Sequence, residues 1–131
     1  RPGEHGSTFG GNPVASAVGM ASLQVIEDDR LAQNARALGQ IFRAHLNEYK
    51  SESKVLVGVR GRGLLNAIVI NDSQEGSLAW DICMTFKEKG LLAKPTHGNI
   101  IRFAPPLVIT NDELLTCIKI IIDTLRKFEP S

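Results

Sequence analysis

The stretch VLVGVRGRGLLNAIVI, Val55–Ile70, contains two apolar runs on either side of a glycine-rich segment. Valine stands at positions 55, 57 and 59, and a second apolar run, residues 64–70, follows Gly61-Arg62-Gly63. A period of two indicates a strand with one buried face, and two such runs around a glycine-containing turn are typical of a β-hairpin. We therefore predict two antiparallel strands with a turn at residues 61–63.

Two helices are predicted before this hairpin. Asn12-Pro13 is a typical helix start, because an Asn side chain caps free N–H groups and proline at the first helical position loses no hydrogen bond. The helix over 13–28 is apolar nearly all round, which is typical of packing on more than one side. With Asp29 as the next N-cap, an amphipathic helix runs to Tyr49, and its apolar stripe is Leu31, Ala35, Leu38, Ile41, Phe42 and Leu46.

After the hairpin the pattern alternates between helix and strand. A helix over 77–88 is expected to end at Gly90, and short extended segments follow at 91–94 and 100–104. Thr110 and Glu113 have the spacing of a capping box at the start of a last helix. The order predicts an α+β domain: a mostly antiparallel sheet of three to four strands covered by helices. Met20 and Met84 lie in helical apolar patterns and are predicted to be core residues.

Composition, cysteine spacing and the first residues indicate the partners, the compartment and the extent of the protein. The 131 residues carry Lys+Arg 15 and Asp+Glu 14, a net charge of +1, so we predict neither a nucleic-acid nor a membrane partner. Cys83 and Cys117 have no CxxC spacing, which predicts buried free thiols and an intracellular, reducing compartment. Residues 1–13, RPGEHGSTFGGNP, resemble the middle of a loop, so we expect the chain to be a fragment of a longer polypeptide.

The loop ahead of the first helix is a candidate anion site. Ser7 and Thr8 supply hydroxyl donors, and glycines at positions 6, 10 and 11 allow close approach to a helix N-terminus. The loop is neither a Walker A sequence nor GxGxxG, and Ser7 has no nucleophile-elbow motif around it. A glycine-rich turn that merely feeds a capped helix is the alternative, and spacing alone does not decide between them.

Arg102 is the second candidate, because it interrupts the apolar run Ile100–Ala104. A guanidinium in such a strand either reaches solvent or binds an anion, and its planar fork suits a carboxylate. A solvated position on an edge strand, a structural Asp or Glu partner and a substrate carboxylate all stay open.

The other candidates are weak. His5, His45 and His97 are too scattered for a metal site, so no metal is predicted. Arg60 and Arg62 flank the turn and are expected to be solvated. Nothing marks Lys87 or Lys94 as a desolvated Schiff-base lysine, so neither is predicted to be catalytic.

Three segments resemble the class III (subgroup II) aminotransferases, pyridoxal 5′-phosphate enzymes of fold type I, and most closely their ornithine-specific branch. PGEHGSTFGGNP, residues 2–13, is shared with acetylornithine and 4-aminobutyrate aminotransferases; VRGRGLLNAIVI, residues 59–70, also matches; GLLAKPTHGNIIRFAPPLVI, residues 90–109, is more particular to the ornithine enzymes. The resemblance implies that 1–12 is a phosphate-contacting loop at the large-domain and dimer interface. It also implies that 13–28 is an interdomain helix and 29–131 the C-terminal small domain of an α/β-class enzyme.

The resemblance also implies roles for single residues. Ser7 and chiefly Thr8 would bind the cofactor phosphate of the other subunit, so the protein would be a homodimer or a higher homo-oligomer. Arg102 would bind the carboxylate of a 2-oxo acid. The Schiff-base lysine lies upstream in this family, so the chain alone is expected to be inactive. Phe9 stands where many relatives have tyrosine.

The implied reaction moves the δ-amino group of L-ornithine to a 2-oxo acid, which yields glutamate 5-semialdehyde and an amino acid. Acetylornithine or 4-aminobutyrate specificity is one alternative, and a stand-alone interaction domain without catalysis is another. The animal members of the family imply the mitochondrial matrix, with the cytoplasm as the alternative.

Overall fold

The computed structural model describes residues 3–130, so Arg1 and Pro2 of the predicted loop 1–12, and Ser131 of the predicted domain 29–131, lie outside the described residues. The elements, in chain order, are α1 (Pro13–Asp28), α2 (Leu31–Lys50), β1 (Leu56–Arg62), β2 (Leu65–Ile70), α3 (Leu78–Glu88), β3 (Lys94–Thr96), β4 (Ile100–Phe103), α4 (Asn111–Leu125) and a closing 3-10 turn (Arg126–Phe128). The α+β prediction is confirmed.

The four strands form one antiparallel sheet in the order β1-β2-β4-β3. Its core face carries Ile68, Ile101 and Phe103, all buried. The Phe103 ring lies 5.5 Å from that of Phe42 on α2 and 6.0 Å from that of Phe86 on α3. Helices α2 and α3 therefore cover one face of the sheet, and α4 packs against both of these helices.

The hairpin turn differs from the prediction by two residues. Arg62 pairs with Leu65, so the turn consists of Gly63 and Leu64 rather than residues 61–63. Gly63 has a φ of +54°, which a residue with a Cβ rarely adopts. Gly61 lies in the ladder instead, where a Cβ would stand 2.3 Å from Asn66 Oδ1. The two glycines are therefore required for different reasons: Gly63 for its left-handed backbone and Gly61 for its close approach to Asn66.

The predicted alternation of the first strand is wrong at its start. The register shifts between Leu56 and Gly58, so Val55 and Leu56 are both buried while Val57 is 50% exposed. A β-bulge has this effect, because one extra residue on one strand reverses the faces of those around it.

Two further boundaries differ from the predictions. Asp29 ends α1, since its N–H donates to Val25 O, and Arg30 occupies the N-cap of α2 with a left-handed φ of 51°. The third strand begins at Lys94 rather than Leu91. The chain must first leave α3, where the N–H of Gly90 donates to Lys87 O and that of Leu91 to Phe86 O.

Local signals elsewhere are confirmed. Gly90 has a φ of +83° and ends α3 as predicted, and the reciprocal capping box of Thr110 and Glu113 begins α4. Cys83 is buried, and burial raises the pKa of its thiol to about 11, which makes it unreactive. Cys117 is only partly buried.

Helix α1 has no buried residue, and its main contact is with α2. Met20 is 73% exposed, so the prediction that it is a core residue is wrong. The predicted helix is present, but nothing in residues 3–130 covers its apolar side chains. Met84, by contrast, packs against the core from α3.

Candidate anion-binding site

The outer face of the sheet carries a row of cations. Arg60 on β1 pairs with Ala67 on β2, Ala67 pairs with Arg102 on β4, and Arg102 pairs with Lys94 on β3. Directly paired residues of antiparallel strands point to the same face, so these four side chains form one line across the sheet, here called the cationic row. Its three charged members are exposed, and Ala67 is partly buried.

No carboxylate of the described chain neutralises the cationic row. Residues 53–71 and 89–111, which contain all four strands, include neither Asp nor Glu. The ion pairs within residues 3–130 involve Arg126 and no member of the row. Of the alternatives for Arg102, a structural Asp or Glu partner is therefore absent from the described residues. Solvent or an anion from outside them is left.

A shallow depression of about 330 Å³ lies beside Arg102. Its lining consists of Arg60, Gly61, Arg62, Leu65, Asn66, Ala67 and Arg102. Three of these residues are arginines, although the surface that faces the depression is mainly apolar, and Gly61 and Ala67 are small enough to leave space between the arginine side chains. Guanidinium groups around such a space suit a carboxylate, which they can bind through two parallel hydrogen bonds.

A buried polar cluster holds the end of the hairpin beneath this depression. Asn66 is 2% exposed, and its Oδ1 accepts a hydrogen bond of 2.7 Å from Arg43 Nη1 on α2. Arg43 Nη1 and Asn66 Nδ2 also donate to Gly63 O, at 3.0 and 3.1 Å. Neither residue was predicted from the sequence to belong to a site. The signal for Asn66 was its position as the one polar residue of LLNAIVI.

The loop ahead of α1 uses its two hydroxyls differently. Ser7 Oγ accepts from the N–H of Gly10 at 2.9 Å, so it stabilises the loop's own turn. The side chain of Thr8 is exposed and has no hydrogen-bond partner within residues 3–130. Asn12 Oδ1 accepts from Ala15 N–H at 2.9 Å, which confirms the predicted cap of α1. Both hydroxyls keep an O–H donor that no described residue uses, but only Thr8 Oγ1 is also free of any contact with the loop's own backbone.

The structure does not bring the two predicted sites together. Within residues 3–130 no hydrogen bond joins Ser7 or Thr8 to the sheet, and the depression beside Arg102 is lined by strand residues and the hairpin alone. Lys87 and Lys94 are exposed rather than desolvated. No group of three or more His, Cys, Asp or Glu side chains among the described residues could hold a metal ion. None of the helices in this range is long and apolar enough to span a membrane.

The described residues thus form an α+β domain with the cationic row on one sheet face and exposed hydroxyls ahead of a helix. Comparison with known proteins makes the class specific. Residues 1–125 match the family "Aminotransferase class-III". The chain belongs to this family, whose members are pyridoxal 5′-phosphate enzymes.

Two similar proteins of this family are both named ornithine aminotransferase. The chain is 52% identical over 126 residues to the ornithine aminotransferase of Schizosaccharomyces pombe, and 50% identical over 128 residues to the mitochondrial ornithine aminotransferase of Rattus norvegicus. These alignments cover 95% and 98% of this chain and 28% of each relative. The chain therefore spans little more than a quarter of the length of these relatives.

Two solved structures share the fold. Acetylornithine aminotransferase from Elizabethkingia anophelis matches with a TM-score of 0.90 and 55% identity, over 98% of this chain and 32% of that chain. The ornithine aminotransferase of Toxoplasma gondii, described with partial occupancy of PLP at its active site, matches with a TM-score of 0.84 and 44% identity, over 97% of this chain and 30% of that chain.

Proposed function

We propose that this chain is the C-terminal portion of an ornithine aminotransferase. The complete enzyme transfers the δ-amino group of L-ornithine to a 2-oxo acid and yields glutamate 5-semialdehyde and an amino acid. Arg102 carries the proposal: it lies exposed in an acid-free sheet and in a segment typical of the ornithine enzymes. Similarity to proteins that bear this name supports it.

Arg102 binds the carboxylate of the 2-oxo acid in this proposal. Its guanidinium is exposed beside a depression and has no internal carboxylate to compete with the substrate. A charge-assisted pair of parallel hydrogen bonds increases the affinity for the oxo acid and also fixes its orientation. Arg102 therefore orients the substrate and takes no part in proton transfer.

Thr8, assisted by Ser7, binds the phosphate of pyridoxal 5′-phosphate. The residues present fit a phosphate, because a free hydroxyl and a glycine-rich backbone stand ahead of the N-terminus of α1. The cofactor, when bound, carries the amino group between the two substrates. No lysine of this chain fits the family's Schiff-base position, so this chain alone is inactive.

The contact of Thr8 is made to the other subunit, so the complete protein is a homodimer or a larger homo-oligomer. Residues 1–12 then belong to the large-domain and dimer interface, 13–28 to an interdomain helix and 29–131 to the small domain. The exposed apolar side chains of α1 support this division, because they need a cover: Val14, Val18, Met20, Leu23, Val25 and Ile26. The remainder of the polypeptide supplies that cover.

The substitution Arg102→Ala in the complete enzyme tests the proposal. We expect the KM for 2-oxoglutarate to rise by about 10- to 100-fold, since hydrogen bonds to a charged group contribute about 1.5–3 kcal/mol. The KM for ornithine should change far less. Lys127→Ala, which removes an exposed cation that belongs neither to the cationic row nor to the lining of the depression, is the matched control. Equal effects on both substrates would contradict the assignment.

Acetylornithine aminotransferase is the second candidate, because a solved structure of that name matches with a TM-score of 0.90. Turnover of N-acetylornithine compared with ornithine separates the two. A 4-aminobutyrate enzyme is separated in the same way. A stand-alone interaction domain would instead give a natural gene product with an intact mass near 14.3 kDa.

The mitochondrial name of the rat relative supports the mitochondrial matrix as the location of the protein.

A further inference from the structure

Arg60 and Arg102 stand on opposite sides of Ala67 in the cationic row. Neighbouring strands of a sheet are about 4.8 Å apart, so the two arginine backbones, two strands apart, are separated by about 10 Å. Arginine side chains are long enough to converge over a central alanine at this separation. Both line the same depression beside Ala67, as does Arg62, but Arg62 pairs with Leu65 and stands outside the row through Ala67.

Space and charge at this point favour one anion between two guanidinium groups. On the outer face of β2, Ala67 stands between the larger Leu65 and Val69. Exposed guanidinium groups on one sheet face without a carboxylate partner attract an anion, and one carboxylate can accept hydrogen bonds from both. No Asp or Glu of residues 53–71 or 89–111 can serve as that anion.

We propose that Arg60 shares with Arg102 the binding of the oxo-acid carboxylate, so that the substrate is held by two arginines over Ala67. This inference rests on the proposed function and adds a substrate-binding residue to it. The expected ligand is the same carboxylate that Arg102 binds, approached from the other side of the depression.

Lys94, the remaining cation of the row, lies outside the depression. Lys94 flanks Arg102 on the side away from Ala67 and does not line the depression. It contributes to the same positive potential without reaching the same space. This makes Lys94 a matched control: it has the same sign of charge and a place in the same row, but a position outside the proposed site.

The test measures steady-state KM values of the complete enzyme for 2-oxoglutarate and for ornithine in four variants: Arg60→Ala, Arg60→Lys, Lys94→Ala and Arg102→Ala. We expect Arg60→Ala to raise the KM for 2-oxoglutarate about tenfold with little change for ornithine, and Arg60→Lys to recover part of the loss. Lys94→Ala should stay within about threefold, because it removes only screened long-range attraction. Cofactor absorbance of each variant checks that it is folded and loaded.

Three results would overturn the inference. Equal effects of Arg60→Ala and Lys94→Ala would mean that both cations act through general potential. A loss in Arg60→Ala that falls equally on both substrates would mean that Arg60 pairs with a protein carboxylate. In either case a selective effect of Arg102→Ala leaves the proposed function standing. If Arg102→Ala itself shows no substrate selectivity, the proposed function fails together with the shared site.

An uncharged variant gives a second, independent measurement. Ala67→Leu keeps both arginines and fills the space between them, so it should also raise the KM for 2-oxoglutarate selectively. An unchanged KM in Ala67→Leu would contradict binding over Ala67.

Discussion

Two charged regions of this domain differ in how their charges are satisfied. The carboxylate of Glu129 accepts hydrogen bonds of 2.8 Å from both the Tyr49 hydroxyl and the Lys54 N–H, and a further one from Ser53 Oγ. The cationic row has no carboxylate partner in the described chain. Charge that serves the structure is satisfied internally here, whereas the unsatisfied charge stands on the face open to a ligand.

These four residues, here called the Glu129 cluster, join distant parts of the chain: Glu129, Tyr49, Ser53 and Lys54. The cluster connects the closing turn to the end of α2 and to the start of β1. Desolvation alone would raise the pKa of Glu129, but hydrogen bonds from Ser53, Lys54 and Tyr49 outweigh it and lower that pKa. Burial, together with the hydrogen bond to Glu129, raises the pKa of Tyr49 to about 12.

The largest effect is expected when the satisfied charge is removed. Glu129→Ala leaves three donors without their acceptor, so the free energy of local opening at the start of β1 should fall by about 1–3 kcal/mol. Amide hydrogen exchange of Leu56 and its neighbours in the complete protein measures this. Glu52→Ala removes an exposed carboxylate 3.8 Å from Arg126 and should change exchange by less than about 0.5 kcal/mol. If the two variants behave alike, the Glu129 cluster has no special role.

The same cluster predicts a pH window. Glu129 has a lowered pKa in the folded state, so its stabilisation is complete above its ordinary value of 4.5 and is lost as pH falls through the folded pKa. Tyr49 has a raised pKa, so its contribution is complete below 10.0 and is lost as pH rises towards about 12.

Local exchange near β1, corrected for the intrinsic pH dependence of exchange, should therefore be flat between about pH 5 and 10. Tyr49→Phe should remove the alkaline loss and keep most of the acid loss, because the bonds from Ser53 and Lys54 remain. An alkaline loss that persists in Tyr49→Phe would assign it to another group.

Local features of this fold could be predicted, and those that depend on long-range packing could not. The capping box of Thr110 and Glu113, the end of α3 at Gly90 and the cap at Asn12 involve neighbours within a few residues. The bulge at Leu56 and the left-handed Arg30 are set by how strands and helices pack.

The same distinction applies to the candidate sites. Arg102 was identified because it interrupts an apolar strand, and Arg60 was correctly expected to be exposed. That the two share one depression depends on the strand order β1-β2-β4-β3, which no sequence spacing shows. The contact between Arg43 and Asn66 joins residues 23 positions apart, and that between Tyr49 and Glu129 joins residues 80 apart.

The smallest effect is expected when the unsatisfied charge is removed. Arg60→Gln and Lys94→Gln should each change local stability of β2 and β4 by less than about 0.5 kcal/mol, because exposed charges without partners contribute little. Lys94 directly opposes Arg102, so Lys94→Gln should be slightly stabilising at low salt.

Screening distinguishes this repulsion from a hidden ion pair. The Debye length at 0.1 M salt is about 10 Å, so the gain in Lys94→Gln should vanish as salt is raised. Hydrogen exchange of β4 amides in the complete protein at two salt concentrations measures it. A loss above about 1 kcal/mol in either variant would instead mean that the row is paired with carboxylates from outside residues 3–130. The cationic row would then be a structural interface like the Glu129 cluster, and the contrast between the two regions would disappear.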